Sequence, residues 1–128
     1  MEITVGMKGE AATVVEREDT AAAIGSGLLL VYATPCMVAL MEGAACEAIA
    51  SALSEEKSSV GTALNITHIS ATPVGLEVRA EAVVTKVEGN TIYFDVTAYD
   101  EKGKIGEGTH TRVVVTTQKF LDRAYSKV

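Results

Sequence analysis

The chain has 128 residues, 48% of them hydrophobic and only 5% aromatic, which predicts one domain over residues 1–128 with a core of small and β-branched side chains. Seventeen acidic residues against eleven basic ones give a formal charge of −6, the wrong sign for a protein that tracks phosphate backbones, so nucleic acid is excluded as a partner. Residues 1–64 carry nine acids and three bases while residues 65–128 carry eight of each, so any anion site should draw on the second half.

In chain order, an early strand is expected near 8–18. The apolar stretch 21–33 is interrupted by Gly25, Ser26 and Gly27 and falls short of the roughly 20 residues that a membrane span needs. No membrane partner and a cytoplasmic setting are therefore expected. The segment 34–53 is the surest helix, with Thr34 as its N-cap and Pro35 at its first helical position. Apolar residues occupy nearly every face, broken only by Glu42, Glu47 and Ser51, so this helix is predicted to be buried almost all round. Cys36 and Cys46 lie on it, roughly 15 Å apart along the axis, too far for a disulfide. They read as small core residues in a reducing compartment.

Period-2 patterning then predicts strands at 60–69, 76–87, 91–100 and 105–116, with even-numbered residues of 76–82 and 92–98 facing inward. Turn chemistry at Glu88-Gly89-Asn90 and across 100–104 joins successive strands into an antiparallel meander. A short helix is expected at 119–127. The sum is an α+β chain in which a curved antiparallel sheet of about five strands wraps one long central helix, an arrangement that matches the hot-dog fold. Its open sheet edges and single-helix filling predict a homodimer or higher oligomer.

Six residues stand out chemically. Glu42 puts an ionisable carboxylate on the most apolar helix, either as a compensated structural group or as a general base or nucleophile. Gly43 beside it sacrifices roughly 1 kcal/mol of helix propensity, which points to close approach by a backbone or ligand. His68 shares the even-numbered face of Val60, Leu64 and Ile66, so its imidazole points where the core points; a core histidine and a partner for Glu42 are both compatible with that. Thr34 is accounted for locally as a cap whose hydroxyl can still face a site. His110 and Arg112 share a face of the last strand, where a solvated face is the simpler account, and Gly106 and Gly108 predict a bulge or close packing there. No metal-ligand spacing, phosphate loop or Gly-x-Ser-x-Gly elbow occurs, so neither a metal nor a cofactor is expected.

Tyr32-Ala33-Thr34, Pro35-Cys36-Met37-Val38, Leu40-Met41-Glu42, Gly61-Thr62-Ala63, Thr67-His68, Ala71-Thr72-Pro73, Val87-Glu88-Gly89 and Gly108-Thr109-His110 with Arg112 resemble the fluoroacetyl-CoA thioesterase-like branch of the hot-dog superfamily. The resemblance spans roughly residues 5 to 120. It implies hydrolysis of an acyl-CoA thioester, with Thr34, Glu42 and His68 as catalytic triad, Gly61 as backbone donor to the thioester oxygen and Arg112 near the site. CoA would enter as part of the substrate. The resembled enzyme carries an aromatic lid before its Thr and a Trp after its Glu, whereas residues 20–31 here have no aromatic side chain and Gly43 follows Glu42. A small or medium acyl group, without marked preference for fluoroacetyl over acetyl, is therefore expected. A non-catalytic acyl-CoA-binding protein on the same fold is the alternative; a hydratase would resemble an Asp-x-x-x-x-His pattern that is absent. Thr34 and Glu42 stand roughly 12 Å apart along a helix, so a site using both is expected to draw on two subunits.

Overall fold

The computed structural model describes residues 2–128. Strands β1 (Lys8–Val14), β2 (Lys57–His68), β3 (Glu77–Glu88), β4 (Thr91–Asp100) and β5 (Gly103–Thr116) form one antiparallel sheet in the order β1-β3-β4-β5-β2. A 3-10 turn at Arg17–Asp19 and a short helix α1 (Ala21–Ile24) lead into the long helix α2 (Thr34–Ala50), and α3 (Thr117–Tyr125) follows β5. The first strand stops short of residue 18 because Glu16 N–H donates to Asp19 Oδ2 at 2.9 Å, starting the 3-10 turn. The β3–β4 and β4–β5 hairpins close where expected, Gly89 supplying a φ of 61° in the first.

The core lies between sheet and helix. Val78, Ala80, Ala82 and Val84 of β3 and Ile92, Phe94, Val96 and Ala98 of β4 are buried, as their alternation predicts, against Met37, Met41, Ala44, Ala45, Ala48 and Ile49 of α2. β1 crosses the same helix at Gly9, where a methyl group would overlap Ala44 O and Ala48 N, so backbone lies directly on backbone.

Three expectations about α2 are corrected. The helix is buried on one side only, with Ala39, Gly43, Cys46 and Ala50 exposed in a stripe along the other. One chain's sheet wraps only part of a cylinder, and an all-round apolar sequence does not say which part. Cys46 is accordingly exposed and no core residue, whereas Cys36 is half-buried and packs against the core; both are free thiols. The N-cap is Ala33, and Thr34 is already helical with no capping bond. Its hydroxyl is thereby released for other work.

The face of β2 is also corrected. β2 pairs with β5 in a register that shifts between Gly61 and Ala63, leaving Thr62 as an extra residue. Val60 stands opposite Val113, while Gly61 stands opposite Arg112, Leu64 opposite His110 and His68 opposite Gly106. Directly paired residues share a side of the sheet. Val60 therefore does not share the face of His68, and the extra residue instead turns Gly61 toward the helix. Gly106 and Gly108 do mark close packing: a methyl group at Gly106 would lie 2.6 Å from the Met37 thioether, and one at Gly108 would overlap Asn65 O.

Candidate active site

Two polar clusters line the boundary between α2 and the β2–β5 half of the sheet. The first forms where α2 begins and β2 ends. Thr34 Oγ1 lies 2.7 Å from His68 Nδ1. With the ring proton on Nε2, the hydroxyl donates to Nδ1 and the imidazole stands ready to take its proton. Burial holds the His68 ring below the ordinary histidine range, with the Ser70 backbone opposing, so the neutral base dominates at pH 7. His68 Nε2 is sealed from solvent and has no hydrogen-bond partner among the described residues. The pair opens on a cavity of about 290 Å³ lined also by Ala21, Ser26, Val31 and Tyr32.

The second cluster surrounds Glu42, two turns further along α2. Arg112, 6% exposed, donates from Nη1 to Glu42 Oε2 at 3.1 Å, from Nε to Ser59 Oγ at 2.8 Å and from Nη2 to Ser59 O at 3.0 Å. The same Nη1 lies 3.1 Å from His110 Nε2, and His110 Nδ1 lies 2.9 Å from Ala63 O. Burial lowers the affinity of His110 for a second proton, and the adjacent Arg112 charge acts the same way. Gly61 closes the cluster. A methyl group there would overlap Glu42 Oε2 and lie 3.1 Å from His110 Cε1 and 3.3 Å from Arg112 Nη1.

Of the residues singled out in the sequence, the fold joins Thr34 with His68, and Glu42 with Gly61 and Arg112. It does not join the two groups within one chain: α2 holds Thr34 and Glu42 eight residues apart. Gly43 belongs to neither cluster and sits on the exposed stripe, where an added Cβ would meet only the Ala11 methyl at 3.7 Å. The solvated face considered for Arg112 and His110 is not found, since both are buried. His110 and Ser59 are the polar partners that sequence reasoning missed. Sharing a strand face with Arg112 was the signal for His110; Ser59 gave none.

A hydroxyl–imidazole pair at a small cavity and a carboxylate held beside backbone glycine suit attack on an activated acyl group, and the sheet curled round one helix places the chain among hot-dog-fold thioesterases. A thioesterase superfamily member from Thermus thermophilus superposes with a TM-score of 0.88 at 33% identity, over 98% of this chain and 95% of that one. A solved fluoroacetyl-CoA thioesterase superposes with a TM-score of 0.94 at 34% identity, over 100% of this chain and 99% of that one. The fluoroacetyl-CoA thioesterase of Streptantibioticus cattleyicolor is 44% identical over 97 residues, 76% of this chain and 70% of that protein. The fluoroacetyl-CoA-specific thioesterase family matches residues 15–118, and the chain belongs to it: it is an acyl-CoA thioester hydrolase.

Among the described residues no helix is long and apolar enough to cross a membrane.

Proposed function

We propose that this enzyme hydrolyses small or medium acyl-CoAs to free acid and CoA, with Thr34, Glu42 and His68 as its catalytic groups and Gly61 donating a backbone N–H to the thioester oxygen. The observation that carries the reading is the 2.7 Å contact between the Thr34 hydroxyl and the His68 imidazole at the mouth of a cavity. Glu42 supplies negative charge at the reacting carbonyl, by direct attack or by drawing a proton from water. His68 relays protons through Thr34 toward the departing thiolate. Donors preset for the developing oxyanion are worth roughly 10²-fold each, which fits a glycine whose backbone lies against the carboxylate. No cofactor beyond the CoA of the substrate is required for these steps.

A homodimer completes the site in this reading. Among the described residues β2 is a twelve-residue edge strand with an unpaired outer side, and α2 leaves its stripe of Ala39, Gly43, Cys46 and Ala50 open. Two β2 edges pairing antiparallel about a two-fold axis at Asn65, with Thr62 again the extra residue, would bring Gly61 of one copy opposite His68 of the other. That register unites Glu42 of one chain with Thr34 and His68 of its mate, and gives two sites per dimer. The exposed stripe then offers Gly43 the close approach absent within one chain. A reducing, cytoplasmic setting fits the two free thiols.

The acyl end of the cavity is walled by Ala21, Ser26 and Val31, with Leu28 and Leu29 pointing to solvent at 92% and 69% exposure. Such an open wall separates H from F poorly, since one small group in an apolar pocket is worth roughly 1–3 kcal/mol even when closely packed. A mutant of a fluoroacetyl-CoA thioesterase relative has been solved in complex with acetyl-CoA. The test is thiol release from acetyl-, fluoroacetyl-, butyryl- and hexanoyl-CoA. Turnover of the short and medium substrates with comparable kcat/KM is expected. A preference of several thousand for fluoroacetyl-CoA would overturn the specificity, and tight binding without thiol release would make the chain a binding protein.

A further inference from the structure

Arg112 is held on two edges by different means. Its Nε and Nη2 are tied to Ser59 on the neighbouring strand, which anchors one edge of the guanidinium and leaves the group free to tilt about it. Its Nη1 faces Glu42 Oε2 and needs a second acceptor to fix which way that edge leans. Among the described residues the only other acceptor within hydrogen-bond distance of Nη1 is His110 Nε2, at 3.1 Å. The ring's protonation follows from its neighbours. Ala63 O can only accept, so Nδ1 carries the proton; Arg112 can only donate, so Nε2 offers its lone pair. A doubly protonated ring would set an N–H against an N–H, and burial disfavours that form.

The geometry points to His110 as a positioning residue for the reaction: one flat ring ties the carbonyl of Ala63, which follows the Thr62 bulge, to the Arg112 edge that grips Glu42, so that the carboxylate and the Gly61 backbone keep a single mutual placement. The ring is itself fixed, 1% exposed and stacked on Phe94 at a centroid separation of 5.8 Å. Its Nε2 stands 3.9 Å from Glu42 Oε2, beyond hydrogen-bond reach, so it acts on the carboxylate through Arg112. Attack on a carbonyl is sensitive to such placement, a 1 Å displacement costing up to roughly 10²-fold. This inference rests on Glu42 and Gly61 serving one thioester, as proposed above.

Two amide replacements separate the two halves of the ring's work. Gln at 110 places a carbonyl oxygen near the position of Nε2 and keeps the acceptor for Arg112; Asn places a donor near Nδ1 and keeps the bond to Ala63 O. Phe keeps the stacking and neither bond. The expected result is that His110→Phe and His110→Asn lose about tenfold or more in kcat with KM held within about threefold, while His110→Gln recovers most of the rate. In a Glu42→Gln background, His110→Phe should have little further effect, because the two act as a unit. Side-chain ¹H–¹⁵N spectra of Arg112 supply a readout that does not need turnover: restrained Nη signals in the wild type and in His110→Gln, and averaged signals in His110→Phe. A folded His110→Phe with wild-type kcat, Asn rescuing better than Gln, or Arg112 signals indifferent to residue 110 would each overturn the proposal. If no acyl-CoA releases thiol while the Arg112 signals behave as expected, the hydrolytic reading fails and the positioning of Arg112 stands.

Discussion

The two polar clusters of this enzyme are built to different standards. Around Glu42 the Arg112 guanidinium bonds through Nε, Nη1 and Nη2, His110 uses both ring nitrogens, and Arg112 and His110 are buried. The Thr34–His68 pair has one side-chain hydrogen bond, an exposed threonine and a ring nitrogen with no partner among the described residues. Folding of a single chain therefore fixes the carboxylate half completely, since a buried arginine left unpaired would cost several kcal/mol. It leaves the other half open at the exposed Thr34 hydroxyl, to be finished by substrate or by a second copy. The rigid half sets where charge sits; the open half is where protons have to move.

The contrast can be broken by substitution. Glu42→Gln should show the largest effect, a fall in turnover within the roughly 10²–10⁴-fold range of a lost base, with the folded state intact by circular dichroism. Near-wild-type turnover would return Glu42 to a purely structural role. His68→Ala should cost about 10²-fold in kcat with acyl-CoA binding little changed, measured by steady-state kinetics alongside titration with a non-hydrolysable thioether analogue. An unchanged rate with a lowered Tm would instead make the ring a packing element. Gly61→Ala should act on the rigid half twice, destabilising by about 1–3 kcal/mol through overpacking and slowing turnover by displacing Glu42. Denaturant unfolding checks the first, kinetics on the folded fraction the second, and wild-type values for both would refute the contact.

The smallest effect is on pH dependence. His68 works as the neutral ring, so activity is present above its folded-state pKa and lost as pH falls through it. Burial holds that pKa below the ordinary value near 6.5, so the acid limb of kcat/KM should be centred below about 6.5. The buried, neutral His110 titrates in the same direction and can only steepen the fall. A limb centred at or above 6.5 would show that the ring is not desolvated in the working enzyme.

Much of this layout is legible in the sequence, and the failures have physical causes. Alternation in β3 and β4 gives the buried residues correctly because each strand has one wet face, and glycine with Asn or Lys marks both turns. Thr34, Glu42, His68, Gly61 and Arg112 carry the family resemblance, and all five fall in the two clusters. α2 defeats periodicity because it is apolar on the covered side and on the exposed stripe alike, so burial and the fate of Cys46 depend on where the sheet goes. Thr34 fits the preference for a capping residue before proline, yet the helix takes Ala33 as its cap. In β2 a parity count from Val60 to His68 assumes an unbroken ladder, and nothing in Gly61-Thr62-Ala63 announces the extra residue. His110 follows Gly106 and Gly108, whose low strand propensity hides how tightly β5 packs on β2 and Met37.

That extra residue gives the chain an unusual tolerance profile. Thr62 is exposed, with a single 3.3 Å hydrogen bond from its hydroxyl to Thr111 O, so the identity of its side chain is nearly free. So is its presence. Removing that one residue would leave Gly61 opposite Arg112 and Ala63 opposite Thr111, closing the ladder without turning either flank over. Deleting Val60 instead has to displace either Ser59 from Arg112 or Gly61 from Glu42. Position 62 should therefore accept most substitutions and its own deletion, a contrast that a library of single-residue deletions along β2 would reveal as turnover kept at 62 and lost at 60.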